Sequence, residues 1–164
     1  MAQKAQHTET LLDPNQTQAW RAFLRGTAQV NEVVNRDLED LAGLSLHEYE
    51  VLVRLAEAPE RTMRMSALAS ELVYSRSRLT HTVRRMEEAG LVERTTCESD
   101  RRGVNCTITA KGAGRLEQAQ PGHVTSVREH LVNRLTPEQV AQLANIMAAL
   151  ADEGEGAGGR SNAA

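Results

Sequence analysis

Residues 66–109 read SALASELVYSRSRLTHTVRRMEEAGLVERTTCESDRRGVNCTIT, and this stretch decides the fold. Ser66 reads as the cap of a short helix with Leu68, Ala69, Leu72 and Val73 turned inward. A tight turn at Tyr74-Ser75 leads into a second helix, where Leu79, Val83 and Met86 recur at spacings of four and three. Gly90 is a good residue to end it. The period then changes. Residues 91–97 and 104–109 are two β-like runs rich in Val, Ile and Thr, and the polar stretch 98–103 between them predicts a hairpin with a charged tip. Short helix, tight turn, helix and charged hairpin, in that order, predict a winged helix-turn-helix, with the helix-turn-helix over 65–89 and the wing over 91–109.

Working outward, Ser45 with Glu48 spells a capping box for a helix bearing Leu46, Tyr49, Leu52, Val53 and Leu55, which stops at Ala58-Pro59. Residues 60–64 read as a polar linker. Asp13-Pro14 is a helix start, and Trp20, Phe23, Leu24, Val30, Val33, Val34, Leu38 and Leu41 carry a helical period to residue 42. On the far side, Thr109 caps a long helix predicted to run to about Arg134, and Thr136 with Gln139 opens a last one bearing Val140, Leu143, Ile146, Met147 and Leu150. Residues 1–13 and 152–164 read as a disordered N-terminus and a flexible tail. The expected fold is mainly α with a small β-hairpin wing. It comprises a winged-helix DNA-binding domain over 45–109 and helical dimerisation segments over 14–42 and 110–151, together one unit over 14–151. The apolar stripes of the flanking helices exceed what one small domain needs, which predicts a homodimer.

The bulk numbers alone argue against nucleic acid. The chain of 164 residues has 19 Lys+Arg against 22 Asp+Glu, a net charge of −3. Its distribution argues the other way: residues 61–103 hold nine Arg and six acids, so a +3 segment sits in a −6 remainder. From Tyr74 to Arg85 there are four arginines and no acid, so the acidic partners at i+4 expected of a solvated charged face are missing from the first two turns. Ser75, Arg76, Ser77, Arg78, Thr80 and His81 at the start of this helix are the candidates to reach base edges of double-stranded DNA. Arginine can bond guanine twice, and Ser, Thr and His are adaptable readers.

The stretch from Leu46 to Gly112 resembles the MarR family of bacterial transcription regulators. The resemblance is carried by Gly90-Leu91-Val92-Glu93-Arg94, Asp100-Arg101-Arg102-Gly103 and Ile108-Thr109-Ala110-Lys111-Gly112, which match the pattern G-L-[VI]-x-R, D-x-R-[GA], L-T-x-x-G. It implies a cytoplasmic, dimeric DNA-binding regulator, usually a repressor, acting on a pseudo-palindromic operator and released by a small, often phenolic or anionic ligand. By that resemblance Arg102, beside Arg101 at the wing tip, would enter the minor groove, and Asp100 would brace it. Arg84 and Arg85 would touch phosphates or brace the wing. Trp20, Phe23, Thr27, His47 and Arg54 are candidates to line an effector cleft, the plainer reading of Trp20 and Phe23 being core.

Two alternatives stay open. If the hairpin is centred between Arg101 and Arg102, Cys97 and Cys106 face each other, and a redox-sensing regulator of the same fold follows. A helical interaction module without DNA binding is the other. An enzyme is not expected, since no nucleophile–base–acid set assembles. Neither a cofactor nor a metal is expected, because the five histidines show no ligand spacing. No apolar run reaches the ~20 residues that span a bilayer.

Overall fold

A computed structural model describes residues 11–97 and 100–152, without the side chains of Cys97, Asp100, Arg101, Arg102 and Asp152. The expected disordered N-terminus lies largely, and the tail beyond Asp152 entirely, outside the described residues. In chain order the elements are α1 (Pro14–Ala42), α2 (Leu46–Glu57), a 3-10 turn (Pro59–Arg61), β1 (Thr62–Arg64), α3 (Met65–Glu71), α4 (Arg76–Glu88), β2 (Val92–Cys97), β3 (Asp100–Ile108), α5 (Ala110–His130), a second 3-10 turn (Val132–Arg134) and α6 (Pro137–Asp152). The chain forms two compact units, Met1–Ser126 and Val127–Ala164.

The helix starts follow from their caps. Asp13 accepts from the Gln16 amide at 2.9 Å while the Gln16 side chain accepts from the Asp13 amide, closing a capping box in front of Pro14. Ser45 and Glu48 close a second in front of α2. Thr136 and Gln139 close a third in front of α6. Ser66 is not the cap of α3: the helix begins two residues earlier than that cap would set, at Met65, with Arg64 at the cap position and no side-chain cap.

Residues 62–64, expected in a linker, form β1. A three-residue strand carries no readable period; it exists because the edge of β3 offers it partners. The sheet order is β1-β3-β2, all antiparallel, and Thr62 Oγ1 and Thr107 Oγ1 meet at 2.8 Å across the β1–β3 pair. The second 3-10 turn likewise ends α5 at His130, short of the predicted Arg134.

The core of the first unit is aliphatic. Leu38, Val51, Leu52, Leu55, Leu68, Leu79, Val83, Met86, Val92 and Cys106 are all but fully buried. At ~1.5–3 kcal/mol for each large apolar side chain removed from water, this cluster dominates the stability of the winged helix.

The residues that carried the family resemblance are the joint of this unit. Gly90, at φ +72°, ends α4 with its amide bonded to Glu87 O and the Leu91 amide to Met86 O, both at 2.9 Å. Thr109 donates through Oγ1 to Gly90 O at 2.8 Å and accepts from the Gly112 amide at 3.0 Å, while Lys111 Nζ donates to Ala89 O at 2.7 Å. Gly112 approaches β2 so closely that a Cβ there would lie 2.1 Å from Leu91 O. The end of α4, the start of β2 and the start of α5 are thus fixed as one piece.

Outside the core, α1 leaves Trp20, Phe23, Leu24 and Leu41 exposed, and α6 leaves Val140, Ile146 and Leu150 exposed. Trp20 and Phe23, whose plainer reading was core, are 52% and 37% exposed in the single chain.

Candidate nucleic-acid interface

Helix α4 starts where Ser75 breaks into extended backbone and its Oγ accepts from the Arg78 amide at 3.3 Å. Leu79, Val83 and Met86 lock one side into the core. The remaining positions divide into two faces. Arg76, Ser77, Thr80, His81 and Arg84 line one shallow depression on the open side, at the i, i+1, i+4, i+5, i+8 positions that share a helix face. Thr80 Oγ1 is turned back onto Arg76 O at 2.7 Å. A neighbouring groove of about 280 Å³ runs between this face and the wing, with Arg64, Ser66, Arg76 and Thr80 on one bank and Gly103 and Val104 on the other.

Arg78 and Arg85 turn the other way, toward α2. Arg78 Nη2 donates to His47 Nε2, and its guanidinium carbon lies 5.1 Å over the Tyr74 ring. Tyr74 Oη donates to Glu50. Arg85 Nη2 lies 3.5 Å from Glu48 Oε1, a carboxylate only 10% exposed. Arg84 pairs instead with Glu88 along its own helix at 3.7 Å, both ends open to solvent. The two arginines that sequence reasoning left unassigned therefore have different surroundings.

The wing is tied to α4 by a contact that sequence reasoning missed. Arg94 of β2 donates Nε and Nη2 to Glu87 Oε2 at 2.9 and 2.6 Å, and its amide donates to Glu87 Oε1 at 3.1 Å. These bonds hold the Glu87 carboxyl below the usual carboxylate range. Arg94 was in view as the last residue of the G-L-V-E-R motif, but its partner 7 residues back was not signalled. Arg101, Arg102 and Asp100 lie in β3, and their side chains are outside the described residues.

The effector-cleft candidates have three sets of partners. Trp20 and Phe23 stack at 6.0 Å on α1, where Thr27 Oγ1 donates to Phe23 O. His47 faces Arg78 and Tyr74, and Arg54 pairs with Glu57 at 3.4 Å.

The cysteine pair is corrected by the register. Thr95 pairs with Asn105 and Arg94 with Cys106, so Cys106 stands opposite Arg94, and Cys97 pairs with Asp100. The hairpin turns earlier than between Arg101 and Arg102 because β3 already begins at Asp100. Cys106 is buried, and burial pushes its thiol up to about 12, which keeps it protonated and unreactive. Among the described residues no helix is long and apolar enough to cross a membrane.

Comparison with known proteins agrees with this geometry. A family model described as MarR family matches residues 44–104. Sco3205, a MarR family transcriptional regulator from Streptomyces coelicolor crystallised in complex with DNA, is 38% identical, with a TM-score of 0.83 over 87% of this chain and 93% of that one. The chain belongs to the MarR family. AbsC, a second MarR family regulator from the same organism, is 38% identical with a TM-score of 0.81, over 89% of this chain and 98% of AbsC. The regulator PecS of Dickeya dadantii is 29% identical over 63% of this chain; the match spans 65% of PecS, under two thirds of its length. These MarR relatives are transcriptional regulators, not enzymes.

Proposed function

We propose that this MarR-family chain is a cytoplasmic, sequence-specific DNA-binding regulator that works as a homodimer on a pseudo-palindromic operator. One observation carries the reading. The open face of α4 gathers Arg76, Ser77, Thr80, His81 and Arg84 with no acidic residue in its first turn, beside a groove that the wing closes. That is the chemistry that reads a major groove: arginine forks for guanine, short hydroxyls for mixed edges, and a neighbouring wing for the backbone or minor groove. The DNA complex of Sco3205 supports it by likeness. Ser75 sets the start of the helix, and Arg101 and Arg102, in the wing strand β3, stay candidates for further DNA contacts.

The exposed apolar residues of α1 and of α6 provide the faces for a second copy. A two-fold axis then sets two reading helices about one DNA turn apart, ~34 Å, and demands an inverted repeat. Repression, and release by a phenolic or anionic ligand, complete the proposal; Trp20, Phe23 and Thr27 on α1 supply an aromatic patch with a hydroxyl for such a ligand.

Selection of bound duplexes from a random pool tests the whole. A recovered inverted repeat, bound with an affinity that falls by roughly 0.9 log units per log unit of salt for each phosphate contacted, is the expected result. Recovery of no sequence and no salt dependence refutes it in favour of an interaction module. A single-chain mass of 18.0 kDa in solution at micromolar concentration refutes the dimer.

A further inference from the structure

The contact between Arg78 and His47 has a chemical asymmetry. A guanidinium has only donors, so it can bond an imidazole nitrogen only through that nitrogen's lone pair. Neutral His47 offers one at Nε2 and Arg78 Nη2 uses it. Protonated His47 would offer a second N–H and a second positive charge at the same place.

The rest of the seat is built. The Tyr74 ring lies under the guanidinium and 5.0 Å from the His47 ring, and Glu50 fixes the Tyr74 hydroxyl from α2. The charged and titratable groups facing His47 are Arg78 from α4, Tyr74 from the turn before it, and Glu48 and Glu50 from its own helix. The two carboxylates favour protonation, but both have other work. Glu48 accepts from Ser45 N and Oγ at 2.9 Å and pairs with Arg85, and Glu50 accepts from Tyr74. Burial first, and Arg78 second, hold His47 below the ordinary imidazole value. His47 is therefore neutral, and Arg78 held, at neutral pH.

An arginine that is already held loses less freedom when it docks than one that samples many rotamers. The Arg78 side chain is exposed, so its other N–H groups stay open to a partner on the flank of α4 that faces α2.

We propose that His47 is a positioning residue for DNA recognition: neutral, it holds the Arg78 guanidinium on the flank of α4 that faces α2, and protonated, it lets go, so that discrimination between operator and unrelated DNA falls with pH. The proposal rests on the reading of α4 as the DNA-reading helix. Discrimination, and not affinity, is the quantity to follow. An added charge on His47 strengthens the hold on any phosphate backbone while the directed contact of Arg78 is lost.

The test uses the full chain, the selected duplex and an unrelated duplex of equal length, at fixed ionic strength. The ratio of the two dissociation constants is read by fluorescence anisotropy at two pH values, about 7.5 and one below the His47 midpoint, which lies under the ordinary histidine value. For the natural protein the ratio falls about tenfold between them, within what one arginine–base contact contributes. In His47→Gln, whose amide oxygen can accept but does not titrate, the ratio stays near the natural value and flat. In His47→Ala it is low at both. A natural pH dependence surviving in His47→Gln, or a natural ratio at pH 7.5 in His47→Ala, overturns the proposal. A second arm needs no DNA. The His47 ring is titrated by NMR, assigned by its absence from His47→Gln. Its midpoint rises in Arg78→Ala, and an unmoved midpoint overturns the contact. If the midpoint moves but no duplex is bound at any pH, the failure lies in the DNA-binding reading itself, and the proposal falls with it.

Discussion

Replacing Val73 by glycine is expected to stabilise the protein, although it removes an apolar side chain from the centre of the helix-turn-helix. Val73 was expected to face inward with Leu68, Ala69 and Leu72; it is 90% exposed instead. The reason is the way α3 ends. The Tyr74 amide bonds to Ala69 O at 2.9 Å and the Val73 amide to Ser70 O at 3.2 Å, the paired bonds of a Schellman motif. That motif puts one residue in the left-handed region, and Val73 occupies it with φ +53°. At the end of α4 the same pair of bonds is made around Gly90 at φ +72°. The molecule thus holds its own control, one motif with glycine and one with a β-branched residue.

The left-handed conformation costs a residue bearing a Cβ about 1–2 kcal/mol, and a β-branched one toward the upper end. Glycine removes that cost but returns about 0.5–1 kcal/mol through the greater freedom of the unfolded chain. With Val73 almost fully exposed, little burial is forfeited. The net gain for Val73→Gly is about 1 kcal/mol, or ~2–4 °C in Tm for a chain of this size. Urea unfolding at one fixed protein concentration, which a dimer requires, would show a raised midpoint with an unchanged slope. Val73→Ala keeps most of the strain and gains much less. A lowered midpoint in Val73→Gly would refute the strain account and require that the Val73 side chain be covered in the assembled protein.

Gly112→Ala places a Cβ 2.1 Å from a backbone oxygen that cannot swing aside, so a loss of at least ~3 kcal/mol, or no folded protein, is expected by urea unfolding. Cys106 should resist a thiol-alkylating reagent in the native protein at mildly alkaline pH and react once unfolded, and peroxide acting through Cys106 should leave DNA binding unchanged; rapid native labelling would overturn the burial argument. The Glu87–Arg94 contact holds Glu87 below its ordinary value, so its stabilisation is present above the unfolded carboxylate range and lost as pH falls through the lowered one. Glu87→Gln should therefore speed hydrogen exchange in β2 at neutral pH and make little difference in strong acid. Finally, Arg84→Gln should lower the slope of log affinity against log salt by ~0.9, since its solvent-open pair with Glu88 yields readily to a phosphate. Arg85→Gln, with its carboxylate partner nearly buried, should leave the slope alone and lower stability.

What the sequence made legible is local. Asp13-Pro14, Ser45 with Glu48, Ser75, Thr109 and Thr136 with Gln139 each place a helix start, because a cap and the amides it satisfies lie within four residues. The wing was legible from its change of period, and α4 from the spacing of Leu79, Val83 and Met86. Two losses, Ser66 and Val73, are local misreadings of where α3 begins and ends, and the others are matters of long-range partners. β1 is 3 residues that become a strand only against β3. The hairpin register moved because symmetric placement of a polar tip does not say where pairing begins, and with it went the facing cysteines. Val73 reads as a helix interior residue until the helix is known to end at Glu71.

The division of the α4 arginines follows from the same limit. A step of 100° per residue separates Arg78 from Arg76 by more than half a turn, yet both stand near the start of the helix and both read as outward. Only the position of α2 distinguishes them, by putting His47 and Glu48 on one flank and solvent on the other. This bears on the net charge of −3. Nine arginines in residues 61–103 would suggest a broad positive field, but Arg85, Arg94 and Arg84 each have a carboxylate within 3.7 Å. Of these pairs the Arg84–Glu88 one is open to solvent and can be exchanged for a phosphate, and Arg76 stands beside it on the open face of α4. A binder of that kind gains little from nonspecific attraction in an otherwise acidic molecule, so its hold on DNA depends on whether the few directed contacts are met. That favours discrimination between sequences over raw affinity, and it makes the posture of a single held arginine matter.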